Sequence, residues 1–130
     1  RQAARIESYQ PHMHLRGKAM SLEAILPSGQ NVVLSHVAEF SFNWHAAYTY
    51  ADDAAPLLPK GTIVKVKAWH DNTAANKANP DPNVWVGYGG RTVDEMAHAW
   101  VNVTYMSDED YATEVQARHE RLAKATQQQQ

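Results

Sequence analysis

The chain alternates apolar and polar residues over short runs and then breaks. Residues 18–26 place Met20, Leu22, Ala24 and Leu26 on one face, the period of two that a half-buried strand requires. Pro27–Gln30 (PSGQ) follows as a turn, with a proline to fix φ and a glycine able to take positive φ. Residues 31–36 then read as the hairpin partner. Residues 63–69 put Lys65, Lys67 and Trp69 on one face and Val64, Val66 and Ala68 on the other. The same punctuation predicts strands over 9–15, 84–88 and 92–105, with one or two bent strands in the aromatic stretch 40–50. LPKG at 58–61 is another turn, and DNTAANKANPDPN at 71–83 is a polar loop built from turn formers. Only the end is helical. Ser107 with Asp110 three residues on forms a capping-box-like start, and Tyr111, Val115 and Leu122 give a thin apolar stripe to about Ala125. The expected fold is all-β, a jelly-roll-like β-sandwich over residues 1–106, followed by a C-terminal α-helix and polar tail over 107–130.

Composition narrows the function. The 130 residues suit one domain with a single core. The net charge of -2, from 12 basic and 14 acidic side chains, comes without a basic cluster, so nucleic acid is not an expected partner. No apolar run approaches a membrane span. Cysteine is absent, so any metal must be held by His, Met, Asp, Glu or backbone groups. No secretory signal pattern follows Arg1, so the chain is expected to be a mature form, a fragment or one domain of something longer.

Residues 11–17, PHMHLRG, carry the candidate chemistry. On a strand, His12 and His14 point to one side and Met13 and Leu15 to the other, into the core. His-x-His on a strand is a frequent arrangement for copper and zinc. Spacing alone leaves open that the two are simply solvated or packed. Candidate third ligands are His36, His45, His70, Met96, His98 and His119. His119 lies on the helix, His36 beside a turn, His45 among aromatics and His70 on the apolar face of its strand. Met96 shares the non-core face of the last strand with His98, Trp100 and Asn102, and its thioether is a soft ligand suited to Cu(I). Asp94 and Glu95 are expected to make hydrogen bonds at the strand entry. Four tryptophans, Trp44, Trp69, Trp85 and Trp100, exceed what so small a core can bury.

PHMHLRGK, DNTAANKANPDP and GGRTVDEM, in this order over residues 9–105, resemble the C-terminal domain of copper type II, ascorbate-dependent monooxygenases, the peptidylglycine and dopamine hydroxylase type. The likeness is closer to bacterial relatives carrying the HMHLRGK, FNW, LPKGT, DN and DEM marks. The resemblance implies a jelly-roll sandwich in which His12, His14 and Met96 bind one copper ion where dioxygen and substrate meet. It further implies a periplasmic or extracellular setting.

Two departures shape the expectation. The full enzymes use a second copper held by a preceding domain, and nothing before Tyr9 offers ligands for it. A flanking domain or partner protein is therefore expected. The peptidylglycine hydroxylases also clamp a substrate carboxylate with an Arg, an Asn and a Tyr, and the matching positions here are Gln10, His98 and Trp100. A peptide carboxylate substrate is not expected. His98, with Trp100 and Gln10, is left as a group that would flank the metal ligands without binding the ion, and His98 equally as a fourth ligand or a covered surface histidine. The resemblance implies the oxygen-activating half of a larger protein or complex. The alternative is a non-catalytic structural or interaction module of an extracytoplasmic, redox-type assembly.

Overall fold

In a computed structural model of the chain, which describes residues 2–127, seven strands and one helix form two antiparallel sheets. The strands are β1 (Ala3–Met13), β2 (Gly17–Ile25), β3 (Asn31–Val37), β4 (Tyr48–Thr49), β5 (Leu57–Leu58), β6 (Ile63–His70) and β7 (Ala97–Met106), and the helix is α1 (Asp108–Gln127). The all-β sandwich with a C-terminal helix is as expected. No described helix is long and apolar enough to cross a membrane.

In the first sheet β7 runs antiparallel along the length of β1, while β4 and β5 pair with Ser8–Tyr9 and Ala4–Arg5 on its other edge. In the second sheet β2 lies between β3 and β6. A bulge between Ile6 and Ser8 shifts the phase of β1. Ile6 and Tyr9 therefore both face inward although three residues apart. These two, with Met13, pack on Met20, Leu22, Ala24 and Leu58 to form the core. Leu15, expected in the core, lies outside the strands and is only half-buried.

The outer face of the second sheet holds a buried charge. Glu23, 2% exposed, accepts hydrogen bonds from Ser21 Oγ and Asn31 Nδ2 and pairs with Lys65 Nζ at 2.7 Å and Lys67 Nζ at 2.9 Å. These partners hold its carboxyl well below the usual range, the Lys65 contact most of all. The inner face of this sheet is less well covered. Val64 and Val66 on edge strand β6 stay about two-fifths exposed, and so does Val103 on edge strand β7.

The boundaries differ from expectation in four places. β1 begins six residues earlier than residue 9. The stretch 40–50 contributes only Tyr48–Thr49. Residues 84–88 form no strand, only one isolated bridge between Tyr88 and Glu95. The last strand starts at Ala97 rather than 92, because 89–95 is folded on itself, with Gly89 N–H donating to Glu95 C=O and Glu95 N–H to Gly87 C=O. The helix start is as read, since Ser107 Oγ accepts from Asp110 N–H at 3.0 Å and donates to Asp110 Oδ2 at 2.6 Å. No residue of α1 is buried, and Arg118 fastens it by donating to Ala55 C=O at 2.7 Å.

Candidate metal centre

The β1–β7 register brings the expected residues to one face. Gln10 lies opposite Trp100, His12 opposite His98 and Met13 opposite Ala97. Directly paired residues in an antiparallel ladder project to the same side, so His12 and His98 stand together on the outer face. His14 and Met96 are the next residues on each chain, just beyond the last paired residues. Met96 is half-buried and is not among the core residues.

His14 lies just past the end of β1 and is 5% exposed. Its Nδ1 is 3.1 Å from the carbonyl oxygen of Asp94. A carbonyl can only accept, so Nδ1 is the donor, which in the neutral tautomer places the lone pair on Nε2. This bond joins the His-x-His stretch to the DEM stretch 80 residues later. The His12 and His14 rings are 5.4 Å apart at 80°. Burial, followed by the neighbouring rings of His98, His45 and His14, pushes the His12 pKa down. The shift favours the neutral His12 imidazole, the form that binds a metal.

PHMHLRG is also the point to which the loops are tied. Leu15 N–H donates to Thr92 C=O at 3.4 Å, Asp71 N–H donates to Arg16 C=O at 2.8 Å, and Asn76 Nδ2 reaches Leu15 C=O at 3.4 Å. Arg16 is 2% exposed and has no carboxylate partner among the described residues. Its guanidinium donates to Val93 C=O and, at 3.4 Å, to Asp81 C=O. Gly17 closes the turn by donating to His14 C=O at 2.8 Å, and a Cβ there would come within 2.6 Å of Met13 Cβ. The 71–83 loop is held by its own side chains, as turn chemistry predicts. Asp71 Oδ1 accepts from Thr73 N–H and Oγ, and Asn76 Nδ2 donates to Asp71 C=O.

Asp94 and Glu95 make hydrogen bonds as read. The Asp94 carboxylate caps the GGRT turn through Arg91 N–H and the Arg91 guanidinium, 2.6 Å away at its closest. The Arg91 contact lowers its pKa. Glu95 Oε1 accepts from Asn72 Nδ2 at 2.7 Å.

The other histidines separate clearly. His98 stacks on His12, centroids 4.5 Å apart and planes within 25°, and Trp100 meets His98 edge-on while remaining 64% exposed. His36 is exposed beside Trp69, and His119 is exposed on α1. His70 ends β6 half-buried, its Nε2 without a partner. His45 is packed among aromatics as expected, against Phe40 and Phe42. It also touches His12, at 4.8 Å and 63°. Spacing had not placed it at the pair, because residues 40–47 follow no period that fixes a face.

As the side chains stand, no three His, Asp or Glu residues among the described residues converge as a ready metal-binding group. The donor types nonetheless suit a soft or borderline ion, with imidazoles, a thioether in the adjoining stretch and no thiolate. All four tryptophans are at least 42% exposed, with Trp85 fully so. No known protein family, curated protein or solved structure matches the chain.

Proposed function

We propose that this chain binds one copper ion through His12, His14 and Met96, as the oxygen-activating half of a copper monooxygenase-like protein that works outside the cytoplasm with a flanking domain or partner. The observation that carries the reading is the His14 imidazole, buried and oriented through Nδ1 by the Asp94 carbonyl. A second group that sets the tautomer and orientation of an imidazole is the usual companion of a metal ligand. Copper held there would supply one-electron chemistry with dioxygen. The chain's own residues do the rest. His12 and His14 offer imidazole nitrogens, Met96 offers a soft donor that favours the reduced ion, and Arg16 and Asp94 hold the two arms together from behind.

At the position where the resembled family carries its carboxylate-holding arginine, this chain has Gln10. The Gln10 amide donates to His45 C=O at 3.0 Å, and Trp100 opposite it presents an indole to solvent. Hydroxylation consumes two electrons per dioxygen, and one copper ion supplies one. The copper-loaded chain alone, given ascorbate and oxygen, is therefore expected to make slow peroxide and no stoichiometric hydroxylated product from a glycine-extended peptide or a phenethylamine.

The test is metal stoichiometry. The purified chain should bind about one copper, and His14→Ala should abolish most of it. Undiminished binding by His12→Ala/His14→Ala would remove the site from this face. A second reading, an interaction module without catalysis, draws on a different observation. The inward-facing valines of β6 and β7 stay exposed along two unpaired edges, a feature of sheets that accept a neighbour. Coupled product formation by the chain with an external donor would dismiss that reading.

A further inference from the structure

His45 has no part in the ligand set above, yet its packing leaves a buried ring nitrogen unaccounted for. Its ring lies between Phe40, stacked at 5.5 Å, and Phe42, edge-on at 5.3 Å, and neither can accept or donate a hydrogen bond. Its Nε2 is buried without a partner. Its backbone is not free to drift, because the Gln10 side chain of β1 holds its carbonyl at 3.0 Å. A polar nitrogen kept dry among phenyl rings and tethered to the strand that carries His12 calls for a partner that is absent from the protein itself.

The ring distances say what partner would fit. Imidazole nitrogens sit about 2.0–2.1 Å from a bound zinc or copper-sized ion, so two rings on one ion have centroids about 4.5–5.5 Å apart. His12 meets both His14, at 5.4 Å, and His45, at 4.8 Å, within that span and at steep interplanar angles. His98 is as close to His12, but its plane lies nearly parallel. Parallel stacked rings direct their nitrogens along separate planes, so His98 covers His12 rather than sharing an ion with it.

We propose that His45 is a third imidazole ligand of the ion held by His12 and His14, turning its ring toward them when the ion binds. The inference rests on the copper reading and extends it. Two imidazoles and a thioether suit Cu(I), whereas a third imidazole suits Cu(II). With His45 the site retains its ion in both oxidation states, and the thioether can loosen on oxidation without loss of the metal.

The experiment uses the full chain loaded with one equivalent of Cu(II), and pulsed electron paramagnetic resonance to count coordinated imidazoles from the modulation of their remote nitrogens. Three are expected in the unmodified chain, two in His45→Gln and three in the exposed control His36→Ala. His45→Gln should also weaken Cu(II) binding by about tenfold or more. Nitrogen-15 spectra of the unmodified chain, labelled at histidine and titrated with Cu(I), give a readout that does not depend on a variant folding, and three rings should shift. Two coordinated imidazoles in the unmodified chain, or three that survive His45→Gln, overturns the proposal and leaves the His12–His14–Met96 reading standing. Binding that ignores His12 and His14 overturns both.

Discussion

Replacing Arg16 with methionine tests whether the residue holds the site together or merely burdens the core. The guanidinium is 2% exposed, donates to the carbonyls of Val93 and Asp81, and leaves its own Nε buried without a partner. Two effects oppose each other. Each carbonyl stranded in the interior costs about 1–3 kcal/mol, and hydrogen bonds to a charged group are worth about 1.5–3 kcal/mol each. Methionine, of similar length, also escapes the desolvation of a buried charge, and replacing buried ionic groups by apolar ones can stabilise a fold by about 1–4 kcal/mol. Here no carboxylate accompanies the arginine among the described ion pairs, so methionine leaves no opposite charge stranded behind it. It does, however, strand two carbonyls. The Asp81 bond, at 3.4 Å, is the weaker of the two, so the Val93 bond dominates. The expected net loss is about 2–3 kcal/mol, or a fall in Tm of about 10 °C for a domain of this size. Urea unfolding followed by circular dichroism would measure it, with an unchanged m-value required. Copper affinity should fall as well, since Val93 immediately precedes the residue that orients His14. A variant as stable as the parent, or more stable, would refute the reasoning and assign Arg16 a cost that its two carbonyl bonds do not offset.

Glu23 makes an acid-side prediction. Its folded pKa is depressed, so its contribution is complete above the ordinary value of 4.5 and is lost as the pH falls below that value toward the folded one. Glu23→Gln should accordingly flatten the loss of stability below pH 4.5, read from urea midpoints across a pH series. Tyr9→Phe should leave stability within about 1 kcal/mol of the parent or raise it, because the buried hydroxyl has no partner to lose; a loss of 2 kcal/mol or more would mean that an internal water satisfies it. Gly89→Ala should cost about 1–3 kcal/mol and loosen the Asp94–His14 bond, because a Cβ there would lie inside the Asp94 carboxylate. Gly87→Ala and Gly90→Ala, where a Cβ meets nothing, should stay within about 0.5 kcal/mol on the same unfolding curves.

Much of the sandwich is legible in the sequence because β2, β6 and the end of β7 each bury one face, and a period of two records that directly. Glu23, Lys65 and Lys67 fall on the outer face of the second sheet and Leu22, Val66 and Ala24 on the inner one, as alternation requires. The first half of β1 escapes the same logic. Arg5, Glu7 and Ser8 interrupt its apolar residues, and the bulge after Ile6 changes which parity faces inward. Residues 84–88 fail in the opposite sense. VWVGY has the composition of a strand, but composition cannot report whether a sheet edge is available. The segment instead closes on Glu95 through Gly87 and Gly89, and Trp85 projects into solvent.

The candidate site divides along the same line. His12 and His98 share a face because each belongs to a regular strand and the two strands pair, so alternation alone sets them together once β1 and β7 are neighbours. His14 and Met96 lie one residue beyond the paired segment, where the backbone is held by side chains rather than by the ladder. The placement of His14 rests on the Asp94 carbonyl and on Arg16 beside it, contacts that span 65–80 residues of sequence and leave no local period. His45 lies furthest from any pattern. Residues 40–47 have no regular element, and the Gln10 amide that holds the His45 carbonyl makes a contact across 35 residues of sequence, which no local period announces. Because Gln10 sits on the same strand as His12, that single bond ties an irregular segment to β1 and keeps the His45 ring against His12.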